Sequence, residues 1–358
     1  MQHQSNQPIP GVFILLGLAL AGLLQAPRLI SSYQFQQGIT SYNEGDYQES
    51  ALAFRQVIKH DSDNADAYYN LGLALNQEGE IDPAIAAYQK SLELTPKDPE
   101  DIYFSLGYAL QNRGRYDEAI AAYQKTIDLH PRSANAYTSL AALLYQRDDV
   151  SGAITAARKA IELKPKNAEA LVTLGAALVD QGHLEQARIK LKRAIELKPK
   201  NAMAHNNLGT ILSQQKQADK AIAEYQKAIE LDPKLAIAHG NLGLILSRQG
   251  KQTEALAAAE KAVKLDSKSP KSHYALGAVL LAQKKPSEAI SELERAVALN
   301  YHDAEAHFLL GLALYAERQE PNGIEHLKRA KELSKAQDKV SLMKQVEQVL
   351  RDIKGASS

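Results

Sequence analysis

The feature that most constrains this chain is a Leu-Gly pair that returns at a fixed interval: Leu71-Gly72, Leu106-Gly107, Leu174-Gly175, Leu208-Gly209, Leu242-Gly243, Leu276-Gly277 and Leu310-Gly311. Gln37-Gly38 and Leu140-Ala141 occupy the same place in the first and fourth units. Each step between the Gly or Ala positions is 34 residues except 72 to 107, where Pro99 reads as an insertion. Further columns repeat in phase. An alanine (Ala84, Ala119, Ala153, Ala187, Ala221, Ala255, Ala289) is followed by a large residue such as Tyr88, Tyr123 or Tyr225. A second alanine (Ala160, Ala194, Ala228, Ala262) then precedes a proline (Pro96, Pro131, Pro165, Pro199, Pro233).

Each unit holds two stretches of helical period, for example 202–215 and 219–231. Small residues let paired helices approach closely, and the proline stops the second helix. Lys164 and Lys198 near that end suit the negative helix terminus. One helical hairpin cannot bury its apolar face alone, so neighbours must stack. The chain of 358 residues, 45% apolar, would otherwise read as two or three compact domains.

The columns resemble the tetratricopeptide repeat, in period and in the Leu-Gly, Ala and Pro signature. That resemblance implies an all-α, right-handed α-solenoid of nine helix-turn-helix repeats over 31–337: 31–64, 65–98, 99–133, 134–167, 168–201, 202–235, 236–269, 270–303 and 304–337. The terminal units deviate, with Ser50 and Gly323 in the alanine column and His60 in a leucine column. Residues 338–354, with Leu342, Val346, Val349 and Ile353 as an apolar stripe, read as the C-terminal capping helix, before a tail over 355–358.

Residues 1–30 differ from the rest. A polar tail, 1–8, precedes 9–30, in which Ile9 to Leu24 carries no charge. As a helix, 9–30 is long enough to cross about 30 Å of hydrocarbon. Three readings compete: an uncleaved single-pass transmembrane anchor, which is favoured; a cleaved signal peptide, which lacks a basic start; and a soluble cap. Arg28 leans the repeats toward the cytoplasm under the positive-inside rule, and a cleaved signal would make them periplasmic, extracytoplasmic or secreted.

Composition removes several function classes. Lys plus Arg equals Asp plus Glu at 42 each, so no basic excess announces nucleic acid. No cysteine is present, which removes disulfides, thiolate nucleophiles and zinc–thiolate sites together. Phosphate-loop, dinucleotide, zinc-protease and nucleophile-elbow motifs are all missing. Asp61-Ser62-Asp63 lacks the later ligands of a calcium loop and reads as a turn, as does Asp148-Asp149. No catalytic residue, no metal, no cofactor and no small-molecule substrate is expected, so the chain reads as a non-enzyme.

His205, His239, His273 and His307 stand one period apart. Repeats stacked roughly 10 Å apart cannot share a metal whose ligands lie about 2 Å from it. These histidines therefore read as wall residues in a column that holds Tyr68, Tyr103 and Tyr137 earlier.

Two residues further on stand Asn70, Asn207 and Asn241. The HNNLG and HGNLG runs are similar to the repeat domain of the O-GlcNAc transferases. There this column faces a concave groove, and stacked asparagines grip peptide backbone. The resemblance implies partner binding by Asn70, Asn207 and Asn241. Neighbouring groove positions would add Tyr69, Phe104, Tyr108 and Asn206. Gln36, Ser105, Ser139, Thr173, Ala275 and Leu309 interrupt the column, so the ladder is partial. The alternative is two solvated asparagines on an inner face. Lys271 stands alone where the family's carboxylate clamp would need a cluster.

The expected function is a membrane-tethered protein–protein interaction scaffold that binds a peptide or helical segment of a partner in a concave groove, as an assembly factor for a membrane or envelope complex would. The alternative is the substrate-recognition subunit of an enzyme, such as a glycosyltransferase, on a separate chain.

Overall fold

In the fold, the glycine column becomes a set of hollows. A computed structural model describes residues 31–337 and 339–356, which form nineteen α-helices and no strand. In chain order the pairs are α1 (31–44) and α2 (Tyr47–His60), α3 (Ala65–Glu78) and α4 (Ile81–Glu93), α5 (Pro99–Asn112) and α6 (Tyr116–Leu129), and α7 (Ala134–Gln146) and α8 (Val150–Leu163). These make up the first unit, which ends at Pro165. The second unit begins at Lys166 and holds α9 (Ala168–Asp180) and α10 (Leu184–Leu197), α11 (Ala202–Gln214) and α12 (Ala218–Leu231), and α13 (Ala236–Arg248) and α14 (Gln252–Leu265). It continues with α15 (Pro270–Ala282) and α16 (Pro286–Leu299), α17 (Ala304–Ala316) and α18 (Glu320–Ala336), and finally α19 (Val340–Ala356). Within each unit a helix packs most heavily on its hairpin partner and next on the neighbouring pair. The architecture is the all-α solenoid of nine helical hairpins with a closing helix.

The hairpins are held by pairs of residues 16 apart. A Cβ on Gly72 would fall 2.6 Å from the ring of Tyr88, and one on Gly107 or Gly209 2.8 Å from Tyr123 or Tyr225. Gly175, Gly277 and Gly311 stand in the same relation to Leu191, Leu293 and Leu327. The large partner is fully buried in each case or nearly so. Hydrogen on the glycine thus makes the hollow that the opposite side chain fills at crystal-like density. Where the column holds Ala141, the opposite residue shrinks to Ala157, also buried.

Helix ends follow local chemistry. Asn64, Ser133, Asn167, Asn201, Ser269 and Asp303 each accept from the backbone of the following first helix, as N-caps do. Asp149 caps Gly152 in the same manner, and Asp61 accepts from the Asn64 side chain, so both acidic pairs are turn residues. The extra residue of the third unit is absorbed between α4 and α5. There Thr95 takes a left-handed φ of 52° and Pro99 opens the helix. At the closing end, Val346 and Ile353 of α19 are buried against Leu327 and Ala330 of α18, with Leu342 and Val349 partly buried beside them. Among the described residues no helix is long and apolar enough to cross a membrane. The tail 1–8 and the candidate span 9–30 lie outside the described residues.

Candidate peptide-binding site

The candidate residues fall in both units, and in each the local packing decides how much of the side chain is left for a partner. In the first unit, Tyr69 on α3 and Phe104 on α5 are half-buried. Each lies over the aromatic that fills its own glycine hollow: Tyr69 over Tyr88 at 6.0 Å between ring centroids, Phe104 over Tyr123 at 5.8 Å. Phe35 and Phe54 repeat the motif, edge to face, at 5.4 Å. Such pairs add about 0.5–1.5 kcal/mol beyond the area they bury. These rings therefore work first as packing. The Tyr69 hydroxyl also meets Ser105 Oγ at 3.5 Å, tying α3 to α5. Burial pushes the Tyr69 hydroxyl above its ordinary pKa, with Ser105 opposing, and takes Tyr123 up to about 12. Both stay neutral at physiological pH. Asn70 donates to the Asp66 carbonyl one turn back at 2.8 Å, which occupies one side of its amide. Tyr108, 49% exposed, is the aromatic of this set with a free face.

In the second unit the amides form a chain. Asn241 Nδ2 donates to Asn206 Oδ1 at 2.9 Å, and Asn206 Nδ2 donates to Asn207 Oδ1 at 3.0 Å. Asn206 is only 1% exposed and holds the column of Tyr69 and Phe104, three residues before the glycine. It is a buried relay between repeats rather than a residue that meets a partner directly. Asn207 and Asn241 are half-buried, and their side-chain bonds leave Asn207 Nδ2 and Asn241 Oδ1 uncommitted. One donor and one acceptor are what a peptide unit requires. Tyr225 donates to Thr210 Oγ1 at 3.3 Å, and Thr210 donates to the Asn206 carbonyl at 3.2 Å, so the floor beneath the chain is bonded too.

A column-by-column reading compares residues 34 apart and so pairs Asn207 with Asn241. The bond that forms joins 206 to 241, which are 35 apart. The doubled asparagine of HNNLG was the available signal.

The histidines do more than fill a wall. Nε2 of His205, His239, His273 and His307 each meets the carbonyl six residues earlier, at 3.0–3.1 Å. Each ring thus fastens the turn that enters its own repeat. Nδ1 then faces the residue 19 positions on: Glu224 Oε2 at 2.7 Å for His205, Glu292 Oε2 at 2.6 Å for His273, and His326 Nδ1 at 2.9 Å for His307. The two carboxylates, Glu224 and Glu292, come from the second helix of the same repeat.

Models of the tetratricopeptide repeat match residues 35–99, 104–168 and 274–338, and further models of the same repeat match 156–189, 175–216 and 200–268. The chain belongs to the tetratricopeptide repeat family. Among solved structures, it is similar to the APC/C hetero-tetramer Cut9-Hcn1 at 20% identity and TM-score 0.58, covering 82% of this chain and 59% of that one. A tetratricopeptide repeat protein from Parabacteroides merdae ATCC 43184 aligns at 17% identity and TM-score 0.58, over 70% of this chain and 98% of that one. Both likenesses concern the fold. A curated relative, the Photosystem I assembly protein Ycf3 of Synechococcus sp. (strain WH7803), is 31% identical over 68 residues, 18% of this chain and 39% of that protein's length.

Proposed function

We propose that the chain is a non-catalytic scaffold that holds an extended segment of a partner protein by its backbone, with the amide chain of the second unit as the grip. The observation that carries this reading is the pair of unused polar atoms, Asn207 Nδ2 and Asn241 Oδ1, at either end of a relay anchored by a buried asparagine. An anchored amide loses little freedom when it binds, and that favours affinity. Tyr108 in the first unit offers an exposed aromatic anchor of the kind that partners' apolar side chains meet. The apolar segment 9–30 tethers the scaffold to a membrane, with Arg28 keeping the repeats on the cytoplasmic side. A role in assembling a membrane complex is supported by the short match to a photosystem assembly protein and by the tether.

The test separates grip from fold. Asn207→Asp keeps the oxygen that accepts from Asn206 and removes the donor offered to the partner. A photo-crosslinking residue at Met203, which is 38% exposed beside Asn206, should capture a defined partner segment in cells. That capture should fall at least several-fold with Asn207→Asp while the circular dichroism is unchanged. Equal capture in both chains would overturn the assignment. Asn241→Asp is the structural counterpart, since it turns a carboxylate oxygen toward the buried Asn206 Oδ1 and should cost stability.

A further inference from the structure

The histidine column ends on an exception. In the repeats of His205 and His273, Nδ1 faces a glutamate, and a proton on the imidazole strengthens that contact. In the last repeat the same position holds a second imidazole, His326, with Nδ1 to Nδ1 at 2.9 Å. His307 is 1% exposed and donates from Nε2 to the Tyr301 carbonyl, 3.1 Å away. That fixes Nδ1 of the neutral ring as an acceptor, so the proton between the rings belongs to His326 Nδ1. One added proton can go to the far nitrogen of His326 without breaking the bridge. A second must go to His307 Nδ1, where it meets the His326 N–H head on.

We infer that the His307–His326 bridge is an acid-labile fastening built into the last repeat, holding α17 to α18 while at least one ring is neutral and releasing them when both are protonated.

The surroundings decide whether two charges could be tolerated. Arg329 of α18 already places its guanidinium 4.9 Å from the centre of the Tyr301 ring, and that ring meets His307 edge-on at 5.2 Å. His302 also meets the Tyr301 ring edge-on, at 6.0 Å. Of the carboxylates nearby, Asp303 is occupied in capping Glu305 and Ala306. Glu325 of α18 and Glu294 of α16 act on His326 from a distance. Tyr274 of α15 is held neutral by burial, and Glu347 of α19 is taken by Lys331 at 2.8 Å. None replaces the direct carboxylate contact of the repeats that carry His205 and His273.

Both rings are accordingly held below the ordinary histidine value of 6.5. For His307 the first cause is burial, with His326 and Arg329 adding to it against the Tyr301 carbonyl and Asp303. For His326 it is burial, opposed by Glu325 and Glu294. The unfolded repeat therefore takes up protons first. The stability of this contact is present above pH 6.5 and is lost as pH falls through the lowered values.

The experiment is hydrogen–deuterium exchange on the full chain at pH 7.5 and 5.5, corrected for the intrinsic pH dependence of exchange. Protection should fall in α17–α19 at pH 5.5 and hold in α15–α16. In His326→Glu, which installs the residue that the His205 and His273 repeats carry, the acid-induced loss should disappear. His326→Gln, which accepts or donates without charge, should behave likewise and guards against a fold defect in the glutamate variant. Undiminished protection at pH 5.5 in the natural chain, or an equal acid loss in both variants, would overturn the inference.

Discussion

At the scale of single residues, the fold rests on complementary volumes. Gly72 and Tyr88 are two halves of one contact: the ring is fully buried, and a methyl group on Gly72 would lie 2.6 Å from it. Gly72→Ala should destabilise its repeat by about 1–3 kcal/mol, the usual cost of overpacking, as read from a shift in denaturation midpoint. Much of this was legible beforehand, because a glycine column opposite a column of large residues already implies close helices. The relay through Asn206 was not legible. Repeats are compared at their own period, and a bond between residues 35 apart falls between columns. The histidine bridges were missed for a related reason. Their carboxylates lie 19 positions away, a distance that becomes a contact only when the hairpin closes.

At the scale of the element, the turn inside each hairpin has one recurring demand. Its tightest residue takes positive φ in every repeat, and the position holds Gly45, Gly79, Gly114, Gly182 and Gly250 in five of them. In the other four it holds Asp148, Lys216, Lys284 and Arg318, at φ between 59° and 63°. A side chain in this region costs about 1–2 kcal/mol, of which the greater freedom of an unfolded glycine returns part. Lys216→Gly, Lys284→Gly and Arg318→Gly should therefore each stabilise by about 0.5–1 kcal/mol, seen as a higher melting temperature. Asp148→Gly should gain less, since aspartate tolerates this conformation. The helices themselves follow their sequence signals closely, as with 202–215 expected and Ala202–Gln214 observed. Caps and prolines are local devices and can be read locally.

At the scale of the whole molecule, the main contacts within each unit, among the described residues, join helices one or two apart along the chain. Stability in such proteins is approximately a sum of repeat and neighbour terms. The proposed tether makes a separate claim at this scale. Deleting residues 1–30 should move the protein from the membrane pellet to the supernatant while its helical signal per residue is kept. A deletion protein that still sediments with membranes would show that the repeats carry an attachment of their own. Family, helical content and hairpin order were all readable from the period. The partner was not, because recognition depends on which polar atoms remain uncommitted after packing.

The contact between each glycine and the residue 16 positions later is completed inside one hairpin. A duplication or loss of one full period that begins between hairpins therefore keeps every such pair together and leaves no ring without its hollow. Growth and shortening of the array are in this sense sterically neutral inside each hairpin. The amide relay obeys the opposite rule. It spans two hairpins, so any copying event that separates Asn206 from Asn241 breaks it, and there a change of length is made at the expense of the grip.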